Sequence, residues 1–147
     1  EVLAVAKAYS IPTLRLAEET ELSLGEAVLT LYPPLGAGGI NEEGLSLLCS
    51  CQDFDMLVTG DMDSETEALL LQTANLPDLE VLVAGHHGSK HSSSAAFLEA
   101  TAPEVTVISV GDNSYGHPAP ETLQRLEEAG AEVRRTDRGG TISITVY

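Results

Sequence analysis

The chain has 147 residues, 43% of them hydrophobic and 20% charged, a size and composition suited to one compact domain with a real core. It carries no run of about 18 apolar residues, which excludes a helical membrane span within it. With 23 acidic against 7 basic residues the formal net charge is -16, which excludes a basic-patch nucleic-acid binder, because Lys and Arg neutralising phosphates provide most of such affinity. A phosphate-ester hydrolase stays open if divalent cations bring the positive charge.

Residues 1–9 read as the tail of a helix. The sequence starts in mid-pattern on Glu1, without an initiator Met or a basic-then-apolar leader, and the expectation is a segment cut from a longer protein. Short extended pieces follow at 13–16 and 27–32, the second stopped by Pro33-Pro34, and then a Gly-rich loop over 35–44. Residues 45–51 and 54–59 are β-like runs around Gln52-Asp53, a hairpin pattern. Asp63-Ser64 can cap a helix over about 65–73. Residues 81–84 form a short buried strand, residues 92–94 offer caps for a helix near 95–100, and 105–110 is the next strand. Ala119-Pro120 opens a helix to about Ala129, with Pro in its first turn and Gly130 just past its end. Strands at 132–136 and 141–147 close the chain around the turn Asp137-Arg-Gly-Gly140. A β-rich first third thus passes into alternating strand and helix, an α/β layered fold with a mixed sheet. No repeat, low-complexity tract or linker divides it.

Cys49 and Cys51, spaced i, i+2 on a strand, point to one face. Half a metal site or a redox pair is conceivable there, but without a second Cys pair the two read as small buried hydrophobes.

Three apolar strands each end in Gly followed by Asp or His. Met56-Leu-Val-Thr-Gly60 leads to Asp61, Val81-Leu-Val-Ala-Gly85 leads to His86-His87-Gly88-Ser89, and the strand over 105–110 leads through Gly111-Asp-Asn-Ser-Tyr-Gly116 to His117-Pro118. In open α/β sheets the loops at the carboxyl ends of the strands converge on one edge, where ligands bind. All four histidines (His86, His87, His91 and His117) fall in these loops. Carboxylate with imidazole is the usual ligand set for zinc or manganese. Each residue also has a plainer role. Asp61 could cap the helix that follows, His117 could be a hydrogen-bonded loop histidine, and His91, beside Lys90 and three serines, reads as surface. Ser89 and Lys90 could bind a phosphate oxygen or be ordinary loop residues. A Ser-His hydrolase fails, because Gly88-Ser89-Lys90-His91-Ser92 lacks the second Gly of a nucleophile elbow.

The segments Leu57-Val-Thr-Gly-Asp61, Val83-Ala-Gly-His-His-Gly-Ser-Lys90 and Asn113-Ser-Tyr-Gly-His-Pro118 together resemble the metallo-β-lactamase superfamily. Within it the likeness is to the carboxyl-terminal domain of ComEC-type DNA-internalisation competence proteins. Asn41-Glu-Glu-Gly-Leu-Ser-Leu47 resembles that family's lead-in to the strand before Thr-Gly-Asp, and Arg135-Thr-Asp-Arg-Gly-Gly-Thr-Ile142 its closing segment. The resemblance covers the chain from about residue 40 and, more loosely, 1–34. It implies an αββα sandwich with a two-metal site of zinc or manganese at one edge. On that pattern Asp61 bridges the metals, His117 is a ligand, and His86 or His87 is a ligand or the proton donor to the leaving oxygen.

One departure stands out. The superfamily's first-half motif, HxHxDH or HxxxDH, is absent, and no Asp-His dipeptide occurs in the chain. The resemblance therefore implies residues 1–147 as the carboxyl-terminal part of the fold, holding partial or no metal alone. The missing amino-terminal half, and a transmembrane channel in the same polypeptide, are the partners it implies, with DNA or another phosphodiester as substrate on the extracellular face of a bacterial membrane. Two rival expectations stand beside this metal-dependent phosphodiesterase. One is a catalytically inactive scaffold that docks on a DNA-uptake channel, and the other a hydrolase of small esters, lactones or phosphodiesters on the same fold.

Overall fold

The computed structural model describes residues 2–36 and 44–146. Seven strands form one sheet whose spatial order is the chain order. β1 (Thr20–Leu24), β2 (Ala27–Tyr32), β3 (Ser46–Cys51) and β4 (Phe54–Val58) pair antiparallel. β5 (Val81–Val83), β6 (Val105–Ile108) and β7 (Glu132–Arg135) then continue parallel to β4. Parallel neighbours need a crossover, and α2 (Ser64–Thr73), α3 (Ala95–Thr101) and α4 (Pro120–Glu128) provide one each. α1 (Val2–Ala8) precedes the sheet, and α5 (Thr136–Gly139) is one turn after β7. The α/β reading with a mixed sheet holds.

Strand alternation sets two faces. Leu48, Leu57, Leu82 and Thr106 are partners across β3 to β6, so they share a face. Leu57, Leu82 and Ile108 are fully buried there with Leu70 of α2, Phe97 and Leu98 of α3 and Leu126 of α4. Each such side chain contributes about 1.5–3 kcal/mol by leaving water. On the other face Leu22, Leu29, Cys49, Met56, Val81 and Val105 make a second apolar row. Toward β1 that row is uncovered, and Leu22 and Leu24 remain 45% and 61% exposed. Cys49 and Cys51 are free and lie on this second face, half-buried rather than buried as expected.

Helix starts follow their caps. Asp63, in extended backbone, accepts from the Thr66 amide at 2.9 Å and the Thr66 hydroxyl at 2.8 Å. Ser94 caps α3 through the Phe97 amide, and Pro120 occupies the first turn of α4.

Three expectations change. Residues 13–16 are in no strand, and the hairpin partner of β2 is β1, turned at Gly25 with φ +65°. Residues 141–146 form no strand, so the sheet ends at β7. The turn expected over 137–140 is α5, which begins at Thr136 and cuts β7 short at Arg135. The Arg135–Asp137 ion pair braces it, and Gly140 ends it with φ +68°. The Gly-rich loop over 37–43, the Asn41-Glu-Glu stretch, Glu1 and Tyr147 lie outside the described residues.

Replacing Asp63 by Ala removes the acceptor for the Thr66 amide, and chemical denaturation should show a loss of about 0.5–2 kcal/mol.

Candidate functional site

Because β4, β5 and β6 are parallel, their carboxyl ends share one edge of the sheet, and the three loops leaving them meet there. Backbone contacts join these loops. The His86 amide donates to the Gly60 carbonyl at 2.9 Å, and the Ala119 amide donates to the Gly88 carbonyl at 2.8 Å. The His86-His87 loop is thereby tied on one side to the loop of Asp61 and on the other to the loop of His117.

Two glycines permit this approach. A Cβ at Gly85 would meet the Met62 carbonyl oxygen at 3.0 Å and Thr59 Oγ1 at 3.1 Å. At Gly88, with φ +80°, a Cβ would meet Pro118 Cβ at 2.7 Å. Between them a 3-10 turn, Gly85–His87, puts His86 and His87 in the left-handed region, at φ +49° and +55°. Non-glycine residues there carry strain on the order of 1–3 kcal/mol, which gathers at functional sites.

Each histidine has its own setting. His86 and His117 stand edge to face with ring centroids 5.6 Å apart. His117 Nδ1 is buried and has no hydrogen-bond partner among the described residues. Burial first, then the neighbouring His86 and His87, hold His117 below the usual imidazole range, so its ring is neutral with a lone pair to offer at neutral pH. His87 Nδ1 lies 2.6 Å from the Ser109 carbonyl oxygen. A carbonyl only accepts, so Nδ1 carries the proton and His87 Nε2 is left free. His87 and His117 line a cavity of about 320 Å³ with Ser109, Asn113, Tyr115 and Thr136.

The remaining expected residues separate. Asp61 is half-buried on the turn after Gly60, and since Asp63 caps α2, the capping role weighed for Asp61 is taken. Ser89 is 4% exposed and its hydroxyl accepts from the His91 amide, so of Ser89 and Lys90 only Lys90 presents its head to solvent. His91 is exposed. The site thus brings His86, His87 and His117 together and Asp61 onto the adjoining turn. Among the described residues no group of three or more His, Cys, Asp or Glu side chains is spaced to hold a metal ion. The buried unpaired Nδ1 of His117 beside His86 fits two nitrogen ligands and not a complete site.

Four supporting residues were not foreseen. Asn113 Oδ1 accepts from the Tyr115 and His117 amides, and its Nδ2 donates to the Gly111 and His117 carbonyls, which shapes the loop before His117. The habit of Asn to bond backbone two residues on was the available signal. Tyr115 stacks on His117. Glu67, 1% exposed, accepts from the Ser93 and Ser94 amides at 2.5 and 2.9 Å. Burial pushes its carboxyl up, while the Ser94 and Ser93 groups and Arg125 pull it back. Arg125 donates to the Ser93, Ser92 and Lys90 carbonyls. The spacing of Glu67 from Leu70, i, i+3 on one helix face, was the only hint that Glu67 points inward.

No protein-family model matches the chain. It is 35% identical over 103 residues, 69% of its length, to ComE operon protein 3 of Bacillus subtilis (strain 168). It is 43% identical over 92 residues, 60% of its length, to Competence protein ComA of Neisseria gonorrhoeae. Over these stretches it is a homologue of competence proteins. It is also 32% identical over 93 residues, 63% of its length, to Recombination protein 2 of Haemophilus influenzae (strain ATCC 51907 / DSM 11121 / KW20 / Rd). The matched regions make up 13%, 13% and 12% of those relatives, so the chain spans a small part of each. No helix among the described residues is long and apolar enough to cross a membrane.

Two substitutions test this scaffold by chemical denaturation. Gly88→Ala should cost about 2–4 kcal/mol, from a left-handed backbone and an overpacked contact with Pro118. Glu67→Ala should cost about 2–4 kcal/mol by stranding the Ser93 and Ser94 amides.

Proposed function

We propose that this chain is part of a metal-dependent phosphodiesterase of the DNA-uptake machinery, acting on DNA at the extracellular face of the membrane. The observation that carries it is the meeting of three strand ends, with His117 Nδ1 buried and unpaired beside His86 and with His87 held by Ser109. Homology to competence proteins supplies the setting. Asp61, His86 and His117 are assigned to ligation and His87 to proton transfer. A divalent ion, when bound, neutralises phosphate charge and acidifies the attacking water. His87, with Nδ1–H donating to the Ser109 carbonyl, would take up a proton from solvent on the free Nε2 and hand that proton to the leaving oxygen, which returns the ring to its neutral form. Lys90 is an exposed cation three residues after His87 in the chain. The remaining ligands belong to an amino-terminal half outside this chain, and the uncovered apolar row of the sheet is the surface that half would cover.

A second reading, an inactive scaffold on an uptake channel, has two observations in its favour: the formal charge of -16 and the lack of a three-residue metal group among the described residues.

The test is manganese- or zinc-dependent cleavage of DNA by the intact polypeptide that carries this segment. Asp61→Ala and His117→Ala should each lower kcat at least about 100-fold, as loss of a transition-state electrostatic group does. Cleavage unchanged by both substitutions sinks the assignment. Absence of cleavage together with absence of bound metal favours the scaffold.

A further inference from the structure

Tyr115 is the most exposed large apolar side chain of the described residues, at 83%, and it stands on the rim of the cavity that holds His87 and His117. Its ring lies nearly parallel to that of His117, at 23° and 6.2 Å between centroids, so one face is taken by the imidazole and the other is open. Its backbone is fixed. The Tyr115 amide donates to Asn113 Oδ1, and the same carboxamide grips the His117 amide and carbonyl two residues on. A ring carried on a backbone held in this way has less freedom left to lose on binding.

The chemistry of the loop narrows what that ring can meet. Between Gly111 and His117 there is no Lys or Arg, and Asp112 adds a negative charge to a chain whose net charge is already -16. Phosphates find no clamp here, whereas stacking on an aromatic face needs no charge and tolerates every base. Base faces are open only in unpaired strands, since in a duplex each is covered by its neighbours. A cavity of about 320 Å³ is at the small end of the range for organic ligands and has room for one nucleoside.

We infer that Tyr115, backed by His117, is a stacking platform for an unpaired nucleobase, so that single-stranded nucleic acid is the preferred form at this edge of the sheet. The inference rests on the phosphodiesterase reading for its substrate class and deepens it by naming the contact that selects strand form. Tyr115 is a binding residue in this account, while His87 and the ligand set do the chemistry.

The experiment is fluorescence anisotropy with the intact polypeptide carrying Asp61→Ala, which removes cleavage from the measurement. Labelled oligothymidylate is compared with an abasic strand of equal length and with a duplex. Oligothymidylate should bind more tightly than either by about 5- to 150-fold, the effect of losing a base stack. Tyr115→Ala should abolish that preference by weakening oligothymidylate alone, and Tyr115→Phe, which keeps the ring, should restore it. Equal binding of base-bearing and abasic strands overturns the inference, as does a preference that survives Tyr115→Ala, or a duplex bound as tightly as the single strand. Binding of no strand also overturns it, in favour of a protein contact for Tyr115. Failure here leaves DNA cleavage and its dependence on Asp61 standing, and failure of cleavage leaves a Tyr115-dependent preference standing, so the two readings fall separately.

Discussion

At Gly85 and Gly88 the backbone has neighbours so near that one added carbon would strike the Met62 carbonyl on one side and the Pro118 ring on the other. The loop between these points is wedged between its two neighbours and cannot relax outward without breaking the His86–Gly60 and Ala119–Gly88 hydrogen bonds. That wedge holds His86 and His87 in a backbone region side chains avoid, and puts the His86 ring against His117. Behind it, Glu67 and Arg125 secure the stretch from Lys90 to Ser94 from opposite sides, one accepting amides and the other donating to carbonyls. The strain at the front is maintained by a buried, charge-assisted frame at the back.

Much of this is legible in the amino-acid sequence, for a physical reason. Parallel strands put every carboxyl end on one edge, so the repeated pattern of apolar run, Gly, then Asp or His could be read as convergence without knowing the strand order. Caps were equally plain at Asp63, Ser94 and Pro120, where the residue type acts locally. What failed depended on partners far along the chain. Residues 13–16 look extended, yet it is 20–24 that pair with β2, and pairing alone decides which segment enters the sheet. Residues 141–146 have strand-like composition, but the ion pair between Arg135 and Asp137 and the helical turn of α5 divert the chain before another strand can form. Glu67, an acidic residue in a helix's first turn, looks like a solvated group favouring the helix dipole, and its burial appears only when the Ser93 and Ser94 amides arrive from another loop.

Charge and chemistry pull apart in this molecule. A surface with 23 acidic and 7 basic residues repels a polyanion at long range, yet the candidate site collects imidazoles, one of them kept neutral by its surroundings. Imidazole nitrogens and an aromatic ring interact at contact distance and need no attractive field. The chain matches about an eighth of the length of each of these two competence relatives.

The sheet's order carries a consequence for how the molecule assembles. Each of the seven strands lies beside the one before it in the chain, so every ladder closes over a single connection and none waits for a strand made much later. Loop-closure entropy is then met in small instalments, and topologies of this kind cross lower barriers than those that thread late strands between early ones. Growing from β1 toward β7, each new strand finds a ready template, and the strand ends that carry Asp61, His86 and His117 are set in place one after another in the order of synthesis.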